Sequence, residues 1–98
     1  MPEIDIVRNI SGIEKLKCGI LTETAALFSA MADKGNGGDV KNALSRLIAD
    51  AYLLAGRLGI SPGDVDTAAA KMLRAEMLSG NSPYAETHMK KALERLSK

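Results

Sequence analysis

The sequence has little with which to build an aromatic core or a disulfide framework. Its 98 residues include two tyrosines, one phenylalanine, no tryptophan and one cysteine, Cys18. Aliphatic residues and methionine must therefore build the core, which suits packed helices better than a β-sandwich. One cysteine excludes an intrachain disulfide, which fits a reducing compartment. We therefore expect a cytoplasmic protein.

The sequence also lacks a strong charge of one sign and a long apolar segment. Thirteen Lys and Arg residues balance twelve Asp and Glu residues, for a formal net charge of +1. This balance provides no broad basic surface for nucleic acid or an anionic membrane. No apolar run approaches the roughly 18 residues of a membrane span, and the first residues do not have the pattern of a signal peptide. We expect no membrane association and do not favour a nucleic-acid partner.

Apolar residues recur at helical spacing in four segments of the chain. They predict helices over about 12–33 and 39–58, and further helices that begin at about 62 and 82. Short connections between such helices are typical of an all-α bundle. The chain is long enough for one small domain, residues 1–98, whose core is limited by its size. We therefore expect a four-helix bundle that is completed by oligomerisation.

Polar and turn residues mark the predicted helix ends. Ser11, followed by Glu14, has the pattern of a capping box, so we expect the first helix to begin there, while residues 3–10 could be extended or begin a helix themselves. Gly59 fits the left-handed residue that ends a helix. Ser61 and Pro62 fit the cap and the first position of the third helix. The fourth helix is expected to begin at the Ser-Pro pair that follows the next break.

Asp50 is the acidic residue in the otherwise apolar run from Leu47 to Ala55. A carboxylate in such a run should be paired, bound to a metal, or at the edge of a buried face. At about 100° per residue, Asp50 lies at the border of the apolar face of its helix. Glu23 has the same border position on the first helix, where the small residues Gly19 and Ala26 allow another helix to approach closely.

Two interpretations of this acidic pair are open. Carboxylates from neighbouring helices can face one groove and hold Mg²⁺, which prefers oxygen ligands. Alternatively, Asp50 pairs with Arg46 or Arg57 on the same flank of its helix, while Glu23 pairs with a lysine or stays solvated. Spacing alone favours the second interpretation.

Two long segments resemble a known family in their order and spacing. IDIVRNISGIEKLKCGILTETAALFSAM covers residues 4–31, and LSRLIADAYLLAGRLGIS covers residues 44–61. Together they resemble the MazG-like branch of the all-α nucleoside triphosphate pyrophosphohydrolases, over roughly residues 4–75. The resemblance implies a helical homodimer or homotetramer. It also implies Mg²⁺-dependent hydrolysis of an NTP or dNTP to the monophosphate and pyrophosphate.

The resemblance assigns metal ligation to Glu23 and Asp50. The family motif Glu-Glu-x-x-Glu falls on residues 22–26, and the motif Glu-x-x-Asp falls on residues 47–50. Three acidic positions of these motifs carry other residues here, namely Thr22, Ala26 and Leu47. A triphosphate with its Mg²⁺ needs several carboxylates to hold the metal and position the attacking water. We therefore expect weak or no activity, and a role as a nucleotide-sensing or oligomeric interaction module. The alternative is an active Mg²⁺-dependent pyrophosphohydrolase.

Basic and apolar residues of the second helix provide further candidates. Arg46 and Arg57 are the candidate phosphate ligands beside the acidic pair, and no catalytic residue is identified. Tyr52 and Leu53 lie on the far side of an already apolar helix, so they are candidates for the subunit contact.

Two other patterns in the sequence are similar to binding motifs. The segment 34–39, KGNGGD, lacks the preceding strand and the Lys-Ser/Thr ending of a phosphate-binding loop, so a turn is favoured. Ala55, Gly59 and Val65 have the spacing of a helix-turn-helix. The second helix of that motif would open with acidic residues, which repel DNA phosphates. DNA binding is therefore the least supported alternative.

Overall fold

The computed structural model describes residues 2–33 and 37–97, with side chains from residue 7 onward. It contains four helices in chain order: α1 (Pro2–Ala32), α2 (Gly37–Arg57), α3 (Pro62–Ser79) and α4 (Glu86–Leu96). No strand occurs in these ranges, so the predicted all-α class is confirmed. Residues 34–36 of the predicted turn lie outside the described residues.

The chain forms two compact units, Met1–Gly59 and Ile60–Lys98. The first unit holds α1 and α2, and the second holds α3 and α4. In the second unit, Ala70 of α3 and Met89 of α4 are buried. The prediction of a single domain over residues 1–98 stays a prediction. Within the described residues, none of the helices is both long enough and apolar enough to cross a membrane.

Helices α1 and α2 form an antiparallel hairpin. The side-chain amide of Asn9, early in α1, donates a hydrogen bond to the carbonyl of Arg57 at the end of α2, at 3.4 Å. Ala43 and Ala55 of α2 are buried, and larger apolar residues of both helices are half-buried around them. Those half-buried residues are Ile13, Leu16, Ile20, Leu27, Val40, Leu47 and Leu54. This seam fixes which side chains of α1 face those of α2.

The start of α3 predicted at Ser61 and Pro62 is confirmed. The hydroxyl of Ser61 accepts a hydrogen bond from the backbone N–H of Asp64 at 3.1 Å, and Pro62 is the first helical residue. Gly59 has a φ of +80°, in the left-handed region expected for a glycine that ends a helix. Gly80, which ends α3, has a φ of +71° for the same reason.

Two predicted helix starts were wrong. Helix α1 begins at Pro2, so Ser11 lies inside it and does not cap it. Proline suits a first helical turn, and no glycine or proline then interrupts the chain before Ser11. Helix α4 begins at Glu86, after Ser82 has formed a turn in which its hydroxyl accepts a hydrogen bond from the N–H of Tyr84 at 3.1 Å. Serine stabilises turns as well as helix caps, so its presence alone did not locate the start.

We expect Ser61→Ala to lower the free energy of unfolding by about 1 kcal/mol, because it leaves the N–H of Asp64 without its cap. The matched control is Ser11→Ala, which should change stability by less than about 0.5 kcal/mol, because Ser11 is exposed inside α1. Urea unfolding followed by circular dichroism measures both. Equal losses in the two variants would contradict the helix boundaries described here.

A carboxylate pair and a groove between α1 and α2

Glu23 of α1 and Asp50 of α2 are brought together across the hairpin seam. Both residues are half-buried, and their carboxyl groups lie within hydrogen-bonding reach of each other. The carboxylate of Asp50 rests against Gly19, where a Cβ atom would lie 3.3 Å from Oδ2. Because glycine lacks that atom, Asp50 can approach the backbone of α1 and face Glu23.

The environment of Glu23 disfavours its negative charge. Its pKa is raised above the ordinary value of 4.5, chiefly because burial removes water from the carboxylate. The neighbouring Asp50 adds to this, since it accepts a hydrogen bond from the protonated form of Glu23 and repels the ionised form. Arg46 acts in the opposite direction. The Oε2 atom of Glu23 is buried and has no hydrogen-bond partner among the described residues.

Within the described part of the chain, neither acidic residue forms an ion pair with an arginine of α2, although Arg46 lies near enough to lower the pKa of Glu23. Among the described residues, ion pairs join Lys17 to Glu14 at 3.0 Å and Lys90 to Glu86 at 3.3 Å, but none joins Asp50 to an arginine. The alternative in which Asp50 pairs with an arginine of its own flank is therefore not formed. A pair of acidic groups without a counter-ion between them is a candidate cation site.

Two cavities meet at Glu23. One, of about 460 Å³, is lined by the acidic pair together with Lys15, Arg57 and Leu53, and we call it the Arg57 cavity. The second also measures about 460 Å³, and we call it the Asn42 cavity. Its lining includes Glu23, Thr22, Ala26, Ser29, Asp33, Asp39, Asn42 and Arg46. Together the two cavities form a groove along one side of the hairpin, with Glu23 at its centre.

The groove is lined by most of the predicted site residues, with the acidic pair in the middle and the two arginines in different cavities. Arg46 lies in the Asn42 cavity and Arg57 in the other, so the two candidate phosphate ligands flank the acidic pair. Of the two candidate interface residues, Tyr52 is half-buried, whereas Leu53 is 59% exposed and lines the Arg57 cavity. Leu47 is half-buried in the seam between the helices. The residue that stands where the resembled family motif has a glutamate is thus packed between the two helices.

One structural feature of the site was missed at the level of sequence. Gly12, seven residues before Gly19, lies beneath the guanidinium of Arg57. The same spacing separates Asp50 from Arg57 on α2. Matching seven-residue intervals on two antiparallel helices were a signal that these four residues face one another.

Within the described part of the chain, no group of three or more His, Cys, Asp or Glu residues is placed to hold a metal. The acidic pair can therefore supply two protein ligands. This number suits a single Mg²⁺ ion that keeps several waters, rather than a closed all-protein cage. Cys18 and His88 are both exposed on the protein surface.

The structure thus shows a helical protein whose α-hairpin carries an acidic pair between basic residues. The model of the MazG-like family matches residues 6–95. The chain therefore belongs to the MazG-like family, which relates it to nucleoside triphosphate pyrophosphohydrolase-like proteins. Comparisons with curated proteins and with solved structures gave no match.

Glu23→Gln should raise the stability of the metal-free protein at neutral pH and flatten its dependence on pH. The folded protein holds the Glu23 proton more tightly than the unfolded chain, so wild-type stability should fall as pH rises through the raised pKa of Glu23, above 4.5. Glutamine carries no charge to lose and removes this fall. Thermal unfolding in the presence of EDTA, over a series of pH values, measures the effect.

The control is Glu14→Gln on the same helix. Glu14 is exposed and paired with Lys17, so its replacement should produce no gain in stability. A lower unfolding midpoint for Glu23→Gln than for wild type at neutral pH would contradict the unfavourable ionisation of Glu23.

Proposed function

We propose that this MazG-like protein binds a nucleoside triphosphate together with one Mg²⁺ ion and serves as a nucleotide sensor with weak or no pyrophosphohydrolase activity. The observation that carries this proposal is the buried Oε2 atom of Glu23, which has no hydrogen-bond partner in the described part of the chain and belongs to a carboxyl group beside that of Asp50. A divalent cation would supply the charge that this pair lacks.

Mg²⁺ fits the chemistry of the donor set. It takes oxygen ligands, and it is commonly bound through one or two carboxylates with phosphate oxygens and water completing its coordination. Glu23 and Asp50 would hold the ion, and when bound it would screen the negative charge of a polyphosphate. A bound cation would favour the ionised form of Glu23 and so oppose the effect of burial and of Asp50 on its pKa.

The basic residues of the groove would bind the phosphate groups. Arg57 and Lys15 line the same cavity as the acidic pair, and Arg46 lies on the other side of Glu23. Arginine presents a planar fork of N–H donors that matches phosphate oxygens, and lysine supplies a point charge. Phosphates near the metal would therefore meet cations within the same cavity.

Weak or absent hydrolysis is proposed because the acidic groups are too few. Hydrolysis of the triphosphate requires carboxylates that position and deprotonate water in addition to those that hold the metal. Leu47 is half-buried between the helices, and Thr22 and Ala26 line the Asn42 cavity without a carboxylate. With Glu23 and Asp50 both engaged in metal binding, neither is free to serve as the base.

We also propose that the protein is a homodimer or homotetramer. Several large apolar side chains on the side of the hairpin opposite the groove are exposed, among them Leu21 at 73%, Phe28 at 62% and Ile48 at 59%. Contiguous exposed apolar surface is typical of an interaction site. Contact between copies through this face would leave the groove open to nucleotide.

Asp50→Asn should weaken Mg²⁺-dependent nucleotide binding by about tenfold or more, because it removes a charged ligand from the ion. Isothermal titration calorimetry with α,β-imido analogues of the four dNTPs, in Mg²⁺ and in EDTA, measures this effect. The control is Asp64→Asn, an exposed acidic residue of α3, which should leave the affinity unchanged. Binding that survives both EDTA and Asp50→Asn would contradict the proposed site.

The same variant separates sensing from catalysis. Pyrophosphate release from a panel of natural dNTPs is measured in Mg²⁺ for wild type and for Asp50→Asn. We expect binding without appreciable release. If wild type releases pyrophosphate rapidly and Asp50→Asn does not, the protein is an active pyrophosphohydrolase and the sensor proposal is wrong.

Ile48→Glu should shift the protein toward the monomer, because a buried unpaired carboxylate in a subunit contact is costly. Sedimentation velocity over a range of concentrations measures the shift. Leu53→Glu is the comparison, since Leu53 lines the groove. Dissociation by Leu53→Glu alone would move the interface to the surface around Tyr52 and Leu53.

A further inference from the structure

The guanidinium group of Arg57 packs against the backbone of α1 at Gly12, a contact that we call the Gly12–Arg57 contact. A Cβ atom at position 12 would lie 2.8 Å from Cζ of Arg57 and 3.0 Å from its Nε and Nη2 atoms. Carbon atoms do not approach so closely, so any larger residue at position 12 would force the guanidinium to move. The backbone of Arg57 is also tied to α1, through the hydrogen bond that its carbonyl accepts from Asn9.

The Gly12–Arg57 contact lies about two helical turns along the groove from the acidic pair. Seven residues separate Asp50 from Arg57 on α2, which corresponds to about 10 Å along the helix axis. Gly19 and Gly12 repeat the interval on α1 and face the same two side chains. A phosphate bound at the acidic pair would therefore lie short of the helical level of Arg57, and further phosphates of a chain could extend toward it.

The two ends of the groove differ in charge. Lys15 and Arg57 balance Glu23 and Asp50 in the Arg57 cavity, so one divalent cation would make its lining net positive. The Asn42 cavity has three acidic residues and one arginine, together with hydroxyl and amide groups. Polyphosphate is favoured at the first end. The second end offers hydrogen-bonding groups suited to an uncharged sugar and base.

We propose that Gly12 is a positioning residue that holds Arg57 for the phosphates remote from the metal, so that the groove selects polyphosphates over a monophosphate. The nucleotide would lie with its terminal phosphates toward Arg57 and its nucleoside toward the Asn42 cavity, where Arg46 would contact the phosphate next to the sugar. This inference rests on the proposed function, because it assumes that the acidic pair binds Mg²⁺ with a phosphate.

The test replaces Gly12 with alanine. Because the displaced atoms belong to the end of a flexible side chain, Gly12→Ala should fold normally while Arg57 loses its position. We expect about tenfold weaker binding of Mg²⁺-tripolyphosphate and of α,β-imido dNTPs, and unchanged binding of dNMPs. Calorimetry measures the affinities, and circular dichroism with thermal unfolding checks the fold.

Gly56→Ala is the matched control. Gly56 lies in α2 with no atom within 4 Å of the position its Cβ would take, so this variant makes the same chemical change without touching a neighbour. It should bind all of these ligands as wild type does. Any general effect of alanine on helix stability would appear in both variants.

Arg57→Gln and the double variant Gly12→Ala/Arg57→Gln complete a thermodynamic cycle. If Gly12 acts through Arg57, the double variant should bind tripolyphosphate no more weakly than Arg57→Gln alone. If Arg57→Gln weakens tripolyphosphate binding and Gly12→Ala does not, the positioning role of Gly12 is refuted, while the proposed function is unaffected. Equal losses for dNMP and tripolyphosphate would overturn the selectivity. Absence of Mg²⁺-dependent binding in wild type would overturn both proposals.

Discussion

The close approach of α1 and α2 at two glycines is the constraint on which the site depends. Gly19 admits the carboxylate of Asp50 to the surface of α1, and Gly12 admits the guanidinium of Arg57 one interval further along. Larger residues at these positions would push the side chains outward or separate the helices. The groove, its acidic centre and its basic end all follow from this pairing.

The placement of Glu23 and Asp50 side by side lowers the stability of the folded protein when both are charged. Two carboxyl groups face each other, burial raises the pKa of Glu23, and one of its oxygens has no hydrogen-bond partner. Such features cost folding free energy unless a ligand compensates them, and perturbed ionisable groups in a groove are typical of functional sites. Leu47 and Ala26 add no further carboxylate to this pair. So small a number of carboxyl groups supports the binding role that we propose more than a catalytic one.

Short sequence patterns predicted the structure correctly where the interaction joins residues within one helical turn. The cap at Ser61 and the left-handed Gly59 need only neighbouring residues, so both were predicted correctly. Ser11 and Ser82 carry the same signal, yet one lies inside α1 and the other forms a turn before α4. Serine suits caps, turns and exposed helical positions, and the choice depends on how the flanking residues continue the helix.

The amino-acid sequence alone determined the helical class, most helix ends and the border positions of Glu23 and Asp50, because these depend on spacing within one helix. The tertiary structure decided that the two carboxyl groups face each other, that Asp50 forms no ion pair with any arginine that the structure describes, and that Arg57 rests on Gly12. Those facts depend on the register between two helices. Side-chain volumes across the seam set that register, and no short stretch of sequence contains both sides of it.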